Sequence, residues 1–441
     1  LNKTFCVLTL GCKVNQYESQ VISEGLIRAG FTQGVPEKSG VVIINTCTVT
    51  AQSDSKSRRI IRKLKNINPG SILIVTGCGT EKHKKYFVDN GLIFASDIEF
   101  NGRFGKIIEE INRISGLRED LAVIDQDYIH HAGISGFGSH TRCFIKVQDG
   151  CDSLCSYCTI PLVRGRSRSR RMQDVVTEIN NVVSNGYREV VLTGVHLGQY
   201  NDSGVNAVGL IRNVLKNDKL SRIRISSIEP QDIDDGFIDL FAGDQRLMPH
   251  LHLPIQSGSD TVLRYMNRRY TVDKYKEITA KLRETKKDLL LSTDLIVGFA
   301  GETEEYFEES LKTVLDIGFS KVHVFPFSPR PGTQAFLLDA KLPRKEIKRR
   351  VSYAVKQTTE KSNQIKKEFI GRRFDILVES KKWLSDNCWT GFTPNYLQVC
   401  FIDNRGNLNN TFANVEIDSV NGDHLYGKVI NKNGIEPAVK Q

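Results

Sequence analysis

Residues 150–158 read G-C-D-S-L-C-S-Y-C, and they follow an apolar run at 143–147 with only Gln148 and Asp149 between. Cys151, Cys155 and Cys158 form a C-x3-C-x2-C triad. Three thiolates in so short a loop can hold a metal or an iron–sulfur centre without help from distant strands. A structural zinc site closes its tetrahedron with four protein ligands, and most four-iron clusters take four cysteines. With no fourth cysteine or histidine nearby in the chain, the triad leaves one coordination position to something other than protein. The apolar run marks a strand, so the triad sits at a strand's carboxyl end, where α/β folds gather their functional groups.

The surrounding chain has 441 residues, a length that suggests about three domains. Hydrophobic residues at 39% and charged residues at 25% match a soluble globular protein. The longest apolar stretch, 289–299, is broken by Ser292, Thr293 and Asp294, which argues against a membrane span. The first ten residues fit a β-strand better than a signal peptide, so a cytoplasmic protein is expected. In that compartment the ten cysteines stay reduced, and metal chemistry is a better use for them than disulfides. The net charge of +10 favours a polyanionic partner.

Before the triad, three apolar strands run into small turns that contain a cysteine. Residues 4–10 lead to Cys12, 41–44 to Cys47 and 72–75 to Cys78. Segments of helical period lie between them, with Val21, Ile22, Leu26 and Ile27 in the first and Ile60, Ile61 and Leu64 on a basic second. Strand, helix, strand, helix, strand predicts a doubly wound parallel sheet over residues 1–120. Singly, each cysteine reads as a small packing residue. Three at equivalent strand ends read as a second, spread-out thiolate triad. His130 and His131, in an aperiodic loop, read as exposed residues.

After the triad, Arg164, Arg166, Arg168, Arg170 and Arg171 crowd into eight residues and repel one another unless an anion lies between them. A phosphate backbone or a cofactor carboxylate is the expected anion, and these five are candidate RNA-binding residues. A helix at 172–185 and strands at 189–193, 223–228, 251–255, 289–297 and 321–325 then alternate with further helices. Six strands imply a partial (β/α)6 barrel over 141–370, with Gly194, Glu229, Gln256, Asp294 and His323 ringing the triad at strand ends. A basic helix spans 341–367. Strands at 374–378, 396–402, 414–417 and 425–430 suggest a small antiparallel β-barrel over 373–441, in which Trp383, Trp389, Phe392 and Tyr396 either stack bases or fill the core. Cys6, Cys143, Cys388 and Cys400 read as packing residues.

C-D-S-L-C-S-Y-C at the end of a first barrel strand resembles the radical S-adenosylmethionine (SAM) superfamily. T-L-G-C-K-V-N (9–15), I-N-T-C-T-V-T (44–50) and V-T-G-C (75–78) resemble the methylthiotransferases within it, as do R-I-S-S-I-E-P (224–230), H-L-P-I-Q-S-G-S (252–259), D-L-I-V-G-F (294–299) and V-F-P-F-S (324–328). The resemblance covers essentially the whole chain. It implies two [4Fe–4S] clusters, one on Cys151, Cys155 and Cys158 whose open iron chelates SAM, the other on Cys12, Cys47 and Cys78. Reductive cleavage of SAM would give a deoxyadenosyl radical that removes hydrogen from the target carbon. Tyr157 is then placed to meet the adenine, and Gly194, Glu229, Gln256 and Asp294 are candidates for the other SAM contacts, assigned by position. No side chain is assigned as a catalytic acid or base. A C-terminal TRAM domain for RNA, an anticodon stem-loop of tRNA as substrate and an electron donor such as flavodoxin or ferredoxin also follow.

Within the family, residues 9–19 and 45–50 most resemble the group that converts N6-threonylcarbamoyladenosine (t6A) beside the anticodon to its 2-methylthio derivative. Enzymes acting on isopentenyladenosine more typically carry glutamine and methionine where Lys13 and Val14 stand. That substrate, a ribosomal-protein aspartate, or a non-catalytic zinc-containing RNA-binding protein are the alternatives. Two departures from the pattern are Ala300, where proline is usual, and Gly79, where an aromatic is common.

Overall fold

A computed structural model describes residues 3–89, 92–94, 107, 133–138, 140–382 and 387–430. His130, His131 and Trp383 lie outside the described residues.

In the first sheet, β1 (Thr4–Thr9), β2 (Thr32–Gln33), β3 (Val41–Thr46), β4 (Ile72–Gly77) and β5 (Ile93–Phe94) are ordered β2-β1-β3-β4-β5, and every pair is parallel. Every residue of β3 and β4 is buried, as expected for central strands covered on both faces. Helix α1 (Lys13–Arg28) puts Ile22 and Leu26 against Phe5, Val41, Ile43, Ile72 and Ile74, while α2 (Ala51–Ile67) puts Ile61 and Leu64 against Val42, Ile44, Leu73 and Val75. Alternate strand residues thus feed opposite cores, which makes the sheet doubly wound. Register decides where the cysteines go. Thr9 pairs with Asn45, Asn45 with Thr76 and Thr46 with Gly77, so the three strands stop at one level and Cys12, Cys47 and Cys78 emerge together.

Six parallel strands follow in sequence order. β6 (Arg142–Lys146), Glu189–Thr193 and Arg222–Ile225 form one sheet, and His250–His252, Leu290–Val297 and Lys321–Pro326 form another. A parallel bridge between Ser227 and His252 joins them into the expected partial barrel. The fourth strand is shorter than its apolar run because Pro254 has no N–H for the ladder and Gln256 turns out at φ +60°. Ile255 N donates to the Thr293 hydroxyl instead, at 2.8 Å. Helix α1 packs against β6 on one edge of the barrel, and the helix Arg344–Lys367 packs against Lys321–Pro326 on the other.

The C-terminal strands Arg373–Lys382, Cys388–Phe392, Gln398–Ile402, His424–Val429 and Phe412–Asn421 close into a barrel in that order. Two expectations are corrected here. The strand Cys388–Phe392 escapes the sequence pattern because Thr390 and Gly391 dilute its apolar signal. The barrel is also not wholly antiparallel, since Gln398–Ile402 and His424–Val429 run parallel. Trp389 is buried in the core, while Phe392 and Tyr396 stack on each other against the first barrel, with Arg142 over Phe392 at 4.2 Å and Arg224 over Tyr396 at 4.6 Å. These three aromatics therefore present no face to bases. Cys6, Cys143, Cys388 and Cys400 are buried, as packing residues should be. Among the described residues no helix is long and apolar enough to cross a membrane.

The two α/β units are tied by Arg330, whose Nη2 donates to the Thr48 carbonyl and to Asp54 Oδ2, both at 2.6 Å. Burial raises the Asp54 pKa, but hydrogen bonds from His83, Thr48 and Arg330 outweigh it and hold the carboxyl at about 2. A depressed carboxyl contributes stability above its unfolded pKa near 3.9, and this is lost as pH falls through the folded value. Urea titrations between pH 5 and pH 2 are expected to show the wild type losing about 2 kcal/mol more than Asp54→Asn. Parallel curves would refute this.

Candidate active site

The loop after β6 is pinned before it reaches its first cysteine. Gln148 and Asp149 pair antiparallel with Arg168 and Ser169, and Gly150 makes the turn at φ +71°. A Cβ at Gly150 would lie 1.9 Å from the Arg166 carbonyl oxygen, so both the left-handed backbone and the missing side chain are required. The buried Gln148 amide donates to the Gly150 carbonyl at 2.8 Å and accepts from His196 N at 2.8 Å, which fixes the loop to the end of the second strand. Farther on, Ser156 N donates to the Met266 carbonyl and the Asn267 amide to the Leu154 carbonyl, at 3.0 and 2.7 Å.

Each thiol of the local triad faces a donor. Ser153 N lies 3.3 Å from Cys151 Sγ, Ile160 N 3.4 Å from Cys158 Sγ, and Arg268 Nη1 3.3 Å from Cys155 Sγ. Burial and the other two sulfurs push the Cys158 thiol up to about 12, with the Ile160 N–H opposing them. Burial also raises Cys151, but His196, 3.4 Å away, and the Ser153 N–H bring it below the ordinary thiol value. His196 in turn pairs with Asp232 at 2.6 Å. Three crowded sulfurs that repel as thiolates, each supplied with a donor, suit a cation-rich iron–sulfur centre better than free thiols.

Among the strand-end candidates, Glu229 lies beside the triad, ion-paired with the Arg268 that reaches Cys155. Gly194 packs against Gln148, since a Cβ there would lie 3.0 Å from its oxygen. Gln256 is stitched by its backbone to Asp294 and Ile296. Asp294 turns to histidines instead, 3.3 Å from His252 and within a cluster that includes His323. Tyr157 stands edge-on to Phe299 at 6.4 Å, against the apolar cluster of Val262, Met266, Phe299 and Phe327. Sequence reading missed Gln148, His196, Asp232 and Arg268. His196 follows a strand end and could have been found by that rule; the others carry no local signal.

The second triad lies across the boundary. Cys12 is open to solvent, Cys47 half-buried and Cys78 buried. Burial raises Cys47, opposed by a Val49 backbone N–H, while neighbouring Cys78 adds to the rise. Gly79 explains its own departure from the aromatic, because a Cβ there would meet the Thr46 hydroxyl at 2.7 Å. Ala300 is buried in the cluster with Phe299 and removes no cysteine ligand.

Arg164 joins the triads. It lies in the short helix Ile160–Arg164 that leaves the first, and its Nε donates to Cys78 Sγ at 2.9 Å. Its Nη1 donates to Glu18 at 2.9 Å and Asp149 at 2.8 Å, and Lys146 shares the same two carboxylates. Arg170 is also buried, against Glu178 at 2.5 Å and the Tyr17 hydroxyl at 2.8 Å. The assignment of the arginine run to RNA is therefore corrected for Arg164 and Arg170, whose counter-ions are buried protein carboxylates. Arg168 donates to the Arg164 carbonyl, whereas Arg166 and Arg171 are exposed, Arg166 lying 3.8 Å from Asp152.

The Radical SAM superfamily model matches residues 145–314, and the model of uncharacterized protein family UPF0004 matches residues 4–94. Threonylcarbamoyladenosine tRNA methylthiotransferase MtaB of Thermotoga maritima is 34% identical over 409 residues, 91% of this chain and 92% of that protein. Its Chlamydia pneumoniae namesake is 35% identical over 97% of this chain and 98% of its own. The tRNA-2-methylthio-N(6)-dimethylallyladenosine synthase of Endomicrobium trichonymphae is 32% identical over 97% of this chain and 100% of its own. The solved structure of the radical SAM methyltransferase TsrM from Kitasatospora setae, with cobalamin and a [4Fe-4S] cluster bound, shares the fold at a TM-score of 0.55 and 15% identity, over 76% of this chain and 77% of that one. The matched models, the identity over nearly the full length and the six cysteines at two sets of strand ends lead to one conclusion: this chain belongs to the radical SAM methylthiotransferase family.

Proposed function

We propose that this enzyme converts t6A at position 37, beside the tRNA anticodon, to 2-methylthio-t6A. The observation that carries the reading is the pair of thiol triads on facing units, linked by one buried arginine. Relatives named for this substrate, at 33–35% identity over most of the chain, support it. Cys151, Cys155 and Cys158 would hold the cluster that binds SAM, with Tyr157, Gly194, Glu229 and Gln256 around it, and Cys12, Cys47 and Cys78 a second [4Fe–4S] cluster. Bound there, these groups supply one-electron cleavage of a sulfonium and the sulfur atom that is transferred.

The protein's own part is positional. Arg268 and the Ser153 and Ile160 N–H groups stabilise negative sulfur at the first triad, and the Tyr157–Phe299 cluster keeps water from its flank. Arg164 fixes Cys78 relative to the loop of the first triad. Exposed Lys56, Arg59, Arg62 and Lys63 on α2, with Arg166 and Arg171, form a basic approach for the phosphates of the anticodon stem-loop. The reading assigns residues 1–120 to the second cluster, 141–370 to radical SAM chemistry and 373–441 to a TRAM module. It places the enzyme in the cytoplasm with a flavodoxin or ferredoxin as reductant. Nucleosides from a strain lacking the gene are expected to contain t6A without its 2-methylthio form, and undiminished 2-methylthio-t6A would refute the substrate.

A further inference from the structure

Three side chains on neighbouring strands of the large barrel converge with no cysteine among them. His252 ends the strand His250–His252, Asp294 lies within Leu290–Val297 and His323 within Lys321–Pro326. They alternate with Leu251, Leu291, Leu295, Val322 and Val324, which pack into the core beneath the helices. Successive side chains point to opposite faces of a strand, so the three face the barrel interior. Asp294 pairs in register with His323, and His252 with Ser292. His252 Nε2 lies 3.3 Å from Asp294 Oδ2, the two rings are 5.9 Å apart, and one ligand atom from each of the three lies within 4.8 Å of the others. Atoms bound to one zinc at about 2.0–2.2 Å sit roughly 3–3.5 Å from one another, a spacing that His252 and Asp294 already meet. His323 is exposed on the edge strand of its sheet, and a turn of its ring closes the remainder.

Two further observations point to a cation. Ser292 Oγ lies 3.0 Å from His252 Nδ1 and 3.1 Å from the buried His250 Nε2. One hydroxyl proton cannot serve both rings, so at least one ring donates to Ser292. When His252 donates, its Nε2 lone pair is aimed at the Asp294 carboxylate, which is how an outer-shell hydrogen bond orients a metal-bound imidazole. The carboxylate also lacks a permanent counter-charge: among the described residues Asp294 pairs with no lysine or arginine, and Lys321, in register with Ser292, is drawn away to Asp423 at 2.5 Å. We infer that His252, Asp294 and His323 form a binding site for a divalent transition cation of the zinc class, inside the barrel and separate from both thiol triads. Two imidazoles and one carboxylate suit zinc or ferrous iron better than magnesium or calcium. The cation ties the edge strand to its two neighbours and, with three protein ligands, keeps a further position for water or a substrate oxygen. The site stands whichever base the enzyme modifies.

The test uses the full-length enzyme with its clusters reconstituted, equilibrated anaerobically with buffered free Zn²⁺ over a range of concentrations, and reads zinc, iron and sulfide per chain. The wild type is expected to take up one zinc with iron and sulfide unchanged. Ser292→Ala is expected to weaken that uptake by roughly 10- to 100-fold, the worth of an outer-shell partner, and Asp294→Asn and His323→Phe by more. Zinc held equally by the wild type and His323→Phe is adventitious and overturns the site, as does zinc that enters only as iron leaves, or no zinc at all. Should Asp294→Asn fail to hold its clusters, His323→Phe decides, because an exposed ring on an edge strand can be replaced without disturbing the core.

Discussion

Cys12→Ala is expected to form 5′-deoxyadenosine from SAM at close to the wild-type rate while yielding no methylthio product. Cys12 belongs to the triad on the first sheet and touches none of the groups that hold the loop of Cys151, Cys155 and Cys158; its contact is Asn15 on its own helix, at 3.2 Å. Losing it removes one of three thiols from the second triad and leaves the first triad intact. Cys151→Ala is the counterpart and is expected to lose both activities. Anaerobically reconstituted protein should carry about eight irons in the wild type and about four in Cys12→Ala. Methylthio product from Cys12→Ala, or loss of SAM cleavage with it, would refute the division between the two triads.

Arg164→Met is expected to be the most destabilising single change outside the cysteines. In the wild type two cations, Arg164 and Lys146, face two carboxylates, Glu18 and Asp149, and all four are buried. Removing the guanidinium leaves one buried negative charge in excess and strips the donor from Cys78. Breaking a buried pair from one side costs about 3–5 kcal/mol. Lysine is a poor substitute, because a point charge cannot address a thiol through Nε and two carboxylates through Nη1 at once. Urea denaturation of the apo-protein would show the loss as a shifted midpoint with an unchanged slope, and a variant within 1 kcal/mol of the wild type would show that the quartet is not what joins the units.

Much of the architecture was legible because it is written locally. Apolar runs that end in Gly11-Cys12, Asn45-Thr46-Cys47 and Gly77-Cys78 declare the strand ends, and parallel register then brings the three sulfurs together. The arginine run was misleading for the opposite reason. Its crowding does signal a nearby anion, but Glu18 and Asp149 lie 146 and 15 residues from Arg164, and nothing in the local pattern separates such carboxylates from phosphate. Asp232 and Arg268 were invisible on the same account, since each matters only through a partner brought near by the closing barrel. At the C-terminal end, the aromatic residues left base stacking and core filling both open, whereas Phe392 and Tyr396 serve as a seat for arginines from the neighbouring unit.

That seat sits at the pole of the large barrel opposite the thiols. Arg142, Glu189, Arg222 and His250 each begin a barrel strand, and Arg142 bonds Glu379 and the Tyr396 hydroxyl while Arg222 and Arg224 bond the carbonyls of Asp375, Thr393 and Pro394. The small barrel thus acts as a stopper. A protein truncated before residue 373 would lose the plug from the floor of its reaction chamber, leaving Arg142, Arg222 and Arg224 around Glu189 with their outer bonds cut and letting water in from below. Amputation would therefore damage the vessel in which the chemistry is run, and not merely a grip on RNA.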